Sequence, residues 1–102
     1  MIIEEAWERR ELLAEDATRE AIRRVGEAVD KGVVRCAEPI DLENSKWQVN
    51  EWVKKAIIMY FPIQTMRTMQ AGELEFYDKM ELKRGYEELG VRVVPHAVAR
   101  YG

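Results

Sequence analysis

The sequence predicts an α+β fold, mostly helical, and three observations predict it. Apolar residues recur at three- and four-residue steps through most of residues 2–31. A second helical run follows Asn50. Between and after these runs lie short β-rich stretches bounded by glycine or proline. The expected elements are therefore two N-terminal amphipathic helices, a β-hairpin, a central buried helix and short C-terminal strand elements. At 102 residues the chain suits one compact domain with its own core.

Taken in order, Ile2, Ile3, Ala6, Trp7, Arg10, Leu13 and Ala14 recur at helical spacing, with Glu8, Arg9 and Glu11 on the other side. After a break at Glu15-Asp16, Ala17 to Lys31 carries the stripe Ala21, Ile22, Val25, Ala28 and Val29. Asp16 or Thr18 can cap this helix, and Gly32 ends it as a left-handed C-terminal residue would. The outer faces carry Arg9, Arg10, Arg19, Arg23 and Arg24 among Glu4, Glu5, Glu8, Glu11, Glu20 and Glu27. Such a mixture reads as a solvated face with i,i+4 pairs, and a phosphate-binding patch is the sharper alternative.

Val33 to Glu38 is β-rich and bounded by Gly32 and Pro39, so a strand is expected there, pairing antiparallel with Trp47-Val49 across the polar loop Asp41 to Lys46. The densest apolar stretch is Trp47 to Phe61, where the period changes from strand to helix near Asn50. Asn50 suits an N-cap and Pro62 closes the run, which predicts a buried helix over Glu51 to Phe61 with Trp52, Ile57 and Phe61 deepest. Pro62 to Gly72 is ambiguous: its Met66 and Met69 read as core or interface filler, or as part of a lid. A strand is expected near Leu74 to Lys79, a helical turn at Tyr86 to Leu89 closed by Gly90, and a strand over Val91 to Pro95.

Charge and cysteine usage narrow the function classes. Nineteen acids interleaved with 16 bases, for a net charge of -3, make no single-sign field, so neither nucleic acid nor an anionic membrane surface is favoured as a partner. One cysteine forbids an internal disulfide and one histidine with it cannot complete a four-ligand zinc site, so no metal is expected and the cytoplasm is the favoured compartment. No apolar run is long enough to span a bilayer.

No constellation of residues amounts to a catalytic site, and none is assigned a catalytic role. Lys54-Lys55 can be read as an anion clamp, but adjacent helical residues diverge by about 100°, which turns at least one to solvent. His96 can be read as a general acid and Cys36 as a nucleophile, yet neither has a visible partner, and both read more simply as packing or surface residues. Arg92 stands out. A permanent cation between Val91 and Val93 must pair with a carboxylate, either of the domain or of a ligand.

Five stretches in one order carry a resemblance: Trp7-Glu8-Arg9-Arg10, Asp30 to Glu38, Trp47 to Ile58 with its Trp-Val-Lys-Lys-Ala, Phe76-Tyr77-Asp78-Lys79, and Gly90-Val91-Arg92-Val93-Val94-Pro95. Together they resemble the N-terminal domain of bacterial tetrahydrodipicolinate N-succinyltransferases, in the hexapeptide-repeat acyltransferase family. His96 and the Pro62 to Gly72 stretch depart from the family's pattern. The resemblance implies an enzyme of lysine and diaminopimelate biosynthesis that is a cytoplasmic homotrimer. It implies that residues 1–102 are one N-terminal domain, with a β-helix expected after Gly102, and that this chain alone is inactive. It further implies succinyl-CoA as co-substrate, bound by the β-helix rather than by this domain, and Arg92 as a substrate-binding residue for a dicarboxylate acceptor. Two alternatives stand beside it. One is a structural or subunit-interaction module, with Met66, Met69 and Tyr101 on its contact surface; the other is the same domain serving a different acceptor.

Overall fold

A computed structural model describes all residues, 1–102. Helix α1 (Ile2–Glu8), a 3₁₀ helix (Arg10–Ala14), α2 (Asp16–Asp30) and α3 (Glu51–Tyr60) pack into one helical layer. Two antiparallel hairpins extend from it, β1 (Ala37–Asp41) with β2 (Lys46–Val49), and β3 (Arg67–Ala71) with β4 (Leu74–Asp78). A single turn of helix, α4 (Tyr86–Leu89), precedes an extended C-terminal segment. The fold is thus mostly helical α+β.

The helices form because their apolar residues meet. Ile3 and Ala6 of α1, Ile22 of α2, and Ala56, Met59 and Tyr60 of α3 bury one another, with Ile63 and Met80 closing the cluster. In α3 the buried stripe is Val53, Ala56, Met59 and Tyr60, whereas Trp52, Ile57 and Phe61, expected to be deepest, are only half-buried. Ile57 and Phe61 fall about 100° to one side of the stripe. Trp52 lies in the first turn, where side chains lean back past the helix N-terminus and beyond the covering helices.

Three boundaries differ from the sequence expectation, each for a local reason. The first helix breaks at Arg9 (φ -126°, ψ 88°) and resumes as 3₁₀, while the Arg10 side chain folds back so that its Nε donates to the Trp7 carbonyl at 3.2 Å. Strand β1 starts at Ala37 and runs through Pro39, because Val33 is consumed in closing α2. Gly32 adopts φ 75°, its N–H donates to the Val29 carbonyl, and the Val33 N–H donates to the Ala28 carbonyl, the two bonds of a Schellman motif. Pro39 is tolerated because a two-stranded ribbon consists of edges, and a register irregularity follows it. Val91 to Pro95 is not a strand. Gly90 (φ 69°) closes α4 with the same pair of bonds, the Val91 N–H reaching the Tyr86 carbonyl at 2.9 Å, and the next turn joins the Ala97 N–H to the Val94 carbonyl.

Asn50 does precede α3, but its side chain makes no capping bond. Its Nδ2 donates to the Arg35 carbonyl at 2.8 Å, and its backbone N–H donates to the Cys36 carbonyl at 2.7 Å, which fastens the hairpin's entrance to the helix start. Helix α2 likewise starts after Glu15 without a side-chain cap, and Thr18 is buried. The ambiguous Pro62 to Gly72 stretch supplies β3, joined to β4 by a two-residue turn at Gly72 and Glu73, with Gly72 at φ 64°.

The resulting molecule is flat, 43 × 43 × 18 Å, with a radius of gyration of 16.1 Å against about 13 Å for a compact chain of this length. Only 10 residues are buried. Both hairpins stand largely clear of the helices, so Ile40, Trp47, Val49, Leu74 and Tyr77 are exposed.

Candidate functional site

The strongest polar cluster lies where the C-terminal segment crosses the helical layer. Leu82 pairs with Arg100 in an antiparallel bridge, flanked by hydrogen bonds from the Lys83 N–H to the Ala99 carbonyl (2.9 Å) and from the Tyr101 N–H to the Glu81 carbonyl (2.8 Å). In an extended segment residues two apart share a face, so Glu81 and Lys83 both turn to the helices and Leu82 turns away. The Glu81 carboxylate accepts from the Tyr60 hydroxyl (2.9 and 3.1 Å) and from Gln64 Nε2 (2.8 Å). The Lys83 ammonium pairs with Asp30 Oδ1 (2.9 Å) and donates to the Asp30 carbonyl (2.8 Å), and the Gly102 N–H also donates to Asp30 Oδ1.

An open cleft of about 550 Å³ lies along this crossing, with Arg23, Glu27, Tyr60, Glu81, Arg84 and Tyr101 on its walls. The Tyr60 and Tyr101 rings stand 6.3 Å apart at its floor. Arg23 donates to the Ile63 carbonyl at 3.3 Å, whereas Arg84 makes no hydrogen bond or ion pair. With Asp30 the lining holds three carboxylates against two guanidiniums, and no histidine, cysteine or serine enters the cleft.

Two ionisations carry the cluster's pH dependence. Burial, reinforced by the Glu81 carboxylate, pushes the Tyr60 phenol well above its ordinary value. The Gly102 N–H, and then Lys83, hold the Asp30 carboxyl below the usual carboxylate range. A phenol raised in the fold contributes its full stability below the unfolded value of about 10 and loses it as pH rises through the folded value. Urea midpoints should therefore fall between pH 10 and pH 11.5, and Tyr60→Phe should flatten that fall after an initial cost of about 1–3 kcal/mol at pH 8. An equally steep alkaline fall in the variant would remove Tyr60 as its source. For Asp30 the sign reverses: its contribution is present above about pH 4 and lost as pH falls through the folded value.

The residues singled out from the sequence are scattered. Arg92 is exposed beyond α4 and pairs with no carboxylate of the chain, which leaves its guanidinium free. His96 is exposed four residues on and makes no hydrogen bond, and Cys36 is a half-buried free thiol. Lys55 is engaged by Glu4 at 2.7 Å and stands over the Trp7 ring, whereas Lys54 is exposed, so the two do not form a clamp. Part of the outer basic face is solvated, with i,i+4 pairs of Glu20 with Arg24 and Glu27 with Lys31, whereas Arg19 is half-buried and donates to the Leu13 carbonyl at 2.6 Å. Met66 is exposed, Met69 lines a shallow groove with Phe76, Leu82 and Val98, and Tyr101 packs inward against the helical core. Sequence reading missed Glu81, Lys83 and Asp30, whose partners lie 21, 53 and 72 residues away. Only the alternation Met80-Glu81-Leu82-Lys83 hinted that two charges there share a face. No helix is long and apolar enough to cross a membrane.

Comparison with known proteins bears on all of these residues together. The chain is 39% identical over 109 residues to a 2,3,4,5-tetrahydropyridine-2,6-dicarboxylate N-succinyltransferase of Coxiella burnetii, covering 99% of this chain and 39% of that protein. It is 40% identical over 111 residues to the protein of the same name from Acinetobacter baylyi, covering 99% and 40%. For the Legionella pneumophila protein of that name the identity is 38% over 111 residues. The chain thus spans about two-fifths of the length of the curated relatives it matches. The family model described as tetrahydrodipicolinate N-succinyltransferase N-terminal matches residues 1–63, from the start of the helical layer to Ile63 just beyond α3. The helical layer and its attached segments therefore make this chain a member of the tetrahydrodipicolinate N-succinyltransferase N-terminal family.

Proposed function

We propose that this chain is the acceptor-binding N-terminal domain of a tetrahydrodipicolinate N-succinyltransferase, acting in the cytoplasm in lysine and diaminopimelate biosynthesis. What carries the reading is likeness at about 40% identity along 99% of the chain to proteins named for succinyl transfer to a dicarboxylate. Arg92 fits the role of acceptor ligand because it is exposed and has no carboxylate partner in its own chain. A guanidinium left free in this way offers a planar two-pronged donor to one carboxylate of such an acceptor, which fixes its orientation as well as its position.

The transfer itself needs groups from outside this chain. The amine of the ring-opened acceptor attacks the thioester carbonyl of succinyl-CoA; the new C–N bond forms as the C–S bond breaks, and coenzyme A leaves as the thiol. A carboxylate of the β-helix domain takes the amine proton in this scheme, and that domain builds the homotrimer and binds the acyl-CoA. The flat shape and small core of residues 1–102 support a domain that works against further protein surface.

The 102-residue chain should therefore show no succinyl transfer. A chimera in which it replaces the corresponding N-terminal residues of the Acinetobacter baylyi relative should transfer succinate from succinyl-CoA to tetrahydrodipicolinate. Turnover by the chain alone, or a folded trimeric chimera without turnover, would sink the proposal. One observation favours a second reading, a subunit-contact module without ligand contacts: Ile40, Trp47 and Val49 put apolar surface on one exposed ribbon. Transfer to another amino dicarboxylate in preference to tetrahydrodipicolinate would instead leave the domain's role intact and change its acceptor.

A further inference from the structure

Residues Arg84 to Val98 leave the helical layer and return to it, carrying α4 and Arg92 at the far side, and they hydrogen-bond only among themselves. Their position is consequently set at the base of the excursion. That base is the Leu82–Arg100 bridge, and it is fastened at three points to three elements. Glu81 meets Tyr60 at the end of α3, Lys83 meets Asp30 at the end of α2, and Arg100 pairs with Asp78 of β4 at 2.5 Å. The Lys83 and Asp30 side chains are each about three-quarters withdrawn from solvent (22% and 24% exposed), so their pair is screened less than the surface pairs of α2. Leu82, between Glu81 and Lys83, faces the opposite way into the groove with Met69, Phe76 and Val98.

We propose that Glu81 and Lys83 are positioning residues for Arg92: by gripping α3 and α2 on one face of the bridge, they fix the angle at which the excursion leaves the helical layer and hence where the guanidinium stands. The inference rests on the reading of Arg92 as the acceptor's ligand. One attachment alone would let the excursion hinge about it, whereas attachments to both helices from residues two apart resist that rotation. A small rotation at the base becomes a larger displacement at Arg92, and misplacement of a substrate-holding group by about 1 Å can cost up to about a hundredfold in rate.

Residual dipolar couplings on the 102-residue chain test the anchoring directly. In the unmodified chain, residues 86–94 should share one alignment frame with α2 and α3. In the double variant Lys83→Met/Glu81→Met, which removes the carboxylate that both Tyr60 and Gln64 hold, their couplings should fall by half or more while those of α2 and α3 persist, and Lys83→Met alone should show an intermediate loss. Unchanged couplings at residues 86–94 would overturn the proposal. The chimera tests the consequence: the double variant should raise the acceptor KM about tenfold and leave the KM for succinyl-CoA unaltered, and Lys83→Arg should recover most of the loss. If Arg92→Ala leaves the acceptor KM unmoved, the functional reading fails whatever the couplings show. If Arg92→Ala raises it and the double variant does not, only the positioning role fails.

Discussion

Replacing Ile22 by Ala should destabilise the chain by about 2–5 kcal/mol, among the largest effects expected of truncating a side chain in it. Ile22 is completely withdrawn from solvent and sits where α2 meets α3, against a cluster that includes Ala56, Met59 and Tyr60. The loss has two parts. The removed methylenes no longer leave water on folding, and the neighbouring helices cannot close fully over the space because the rest of the core holds them apart. A small domain has a total stability of about 5–15 kcal/mol, and here the core comprises a few residues, so the variant should stand near its unfolding threshold. Thermal unfolding followed by circular dichroism should show the midpoint lowered by about 10 °C or more. Trp47→Ala serves as contrast, since Trp47 is 53% exposed on β2 and its removal should cost about 0.5 kcal/mol or less. Equal losses in the two variants would contradict a core confined to the helical layer.

The largest functional effect should come from Arg92→Ala. In the chimera it should raise the acceptor KM and lower kcat/KM by about a hundredfold, the scale of losing a charge-assisted two-pronged contact to a carboxylate. Stability should change by about 0.5 kcal/mol or less, because Arg92 is exposed and touches no carboxylate of the chain. Arg92→Lys should recover only part of the activity, since an ammonium keeps the charge and loses the planar fork. Unaltered acceptor KM in Arg92→Ala would favour the subunit-contact reading, with the domain acting through its exposed apolar ribbon.

The helices were legible because their signal is local: a stripe such as Ala21, Ile22, Val25 needs only spacing to be seen. The strands were less so. Val33-Val34 and Val91 to Val94 are good strand formers by composition, yet each follows a glycine in the left-handed conformation whose Schellman closure claims the next N–H for the helix just ended. Composition lost to a hydrogen bond. Strand β3 was hidden because Met69 and Gln70 carry little strand preference, although the Gly72-Glu73 turn between it and Leu74 was a usable hairpin sign. Arg92 stood out as a cation in need of a carboxylate, of the domain or of a ligand, but its anchoring was hidden, because Lys83 and Asp30 meet only after the chain has folded back on itself.

The Asp30 side chain has a consequence for synthesis. It receives Lys83 and the Gly102 N–H, yet it is made long before either. A chain growing from its N-terminus exposes α1, α2 and α3 to water while residues 81–102 are still to come. The three helices must hold together on their own apolar contacts through that interval, with the Asp30 carboxylate hydrated and waiting. Arrival of Glu81 to Gly102 then fastens the layer, so residues translated some fifty or more positions later complete a contact that Asp30 has prepared.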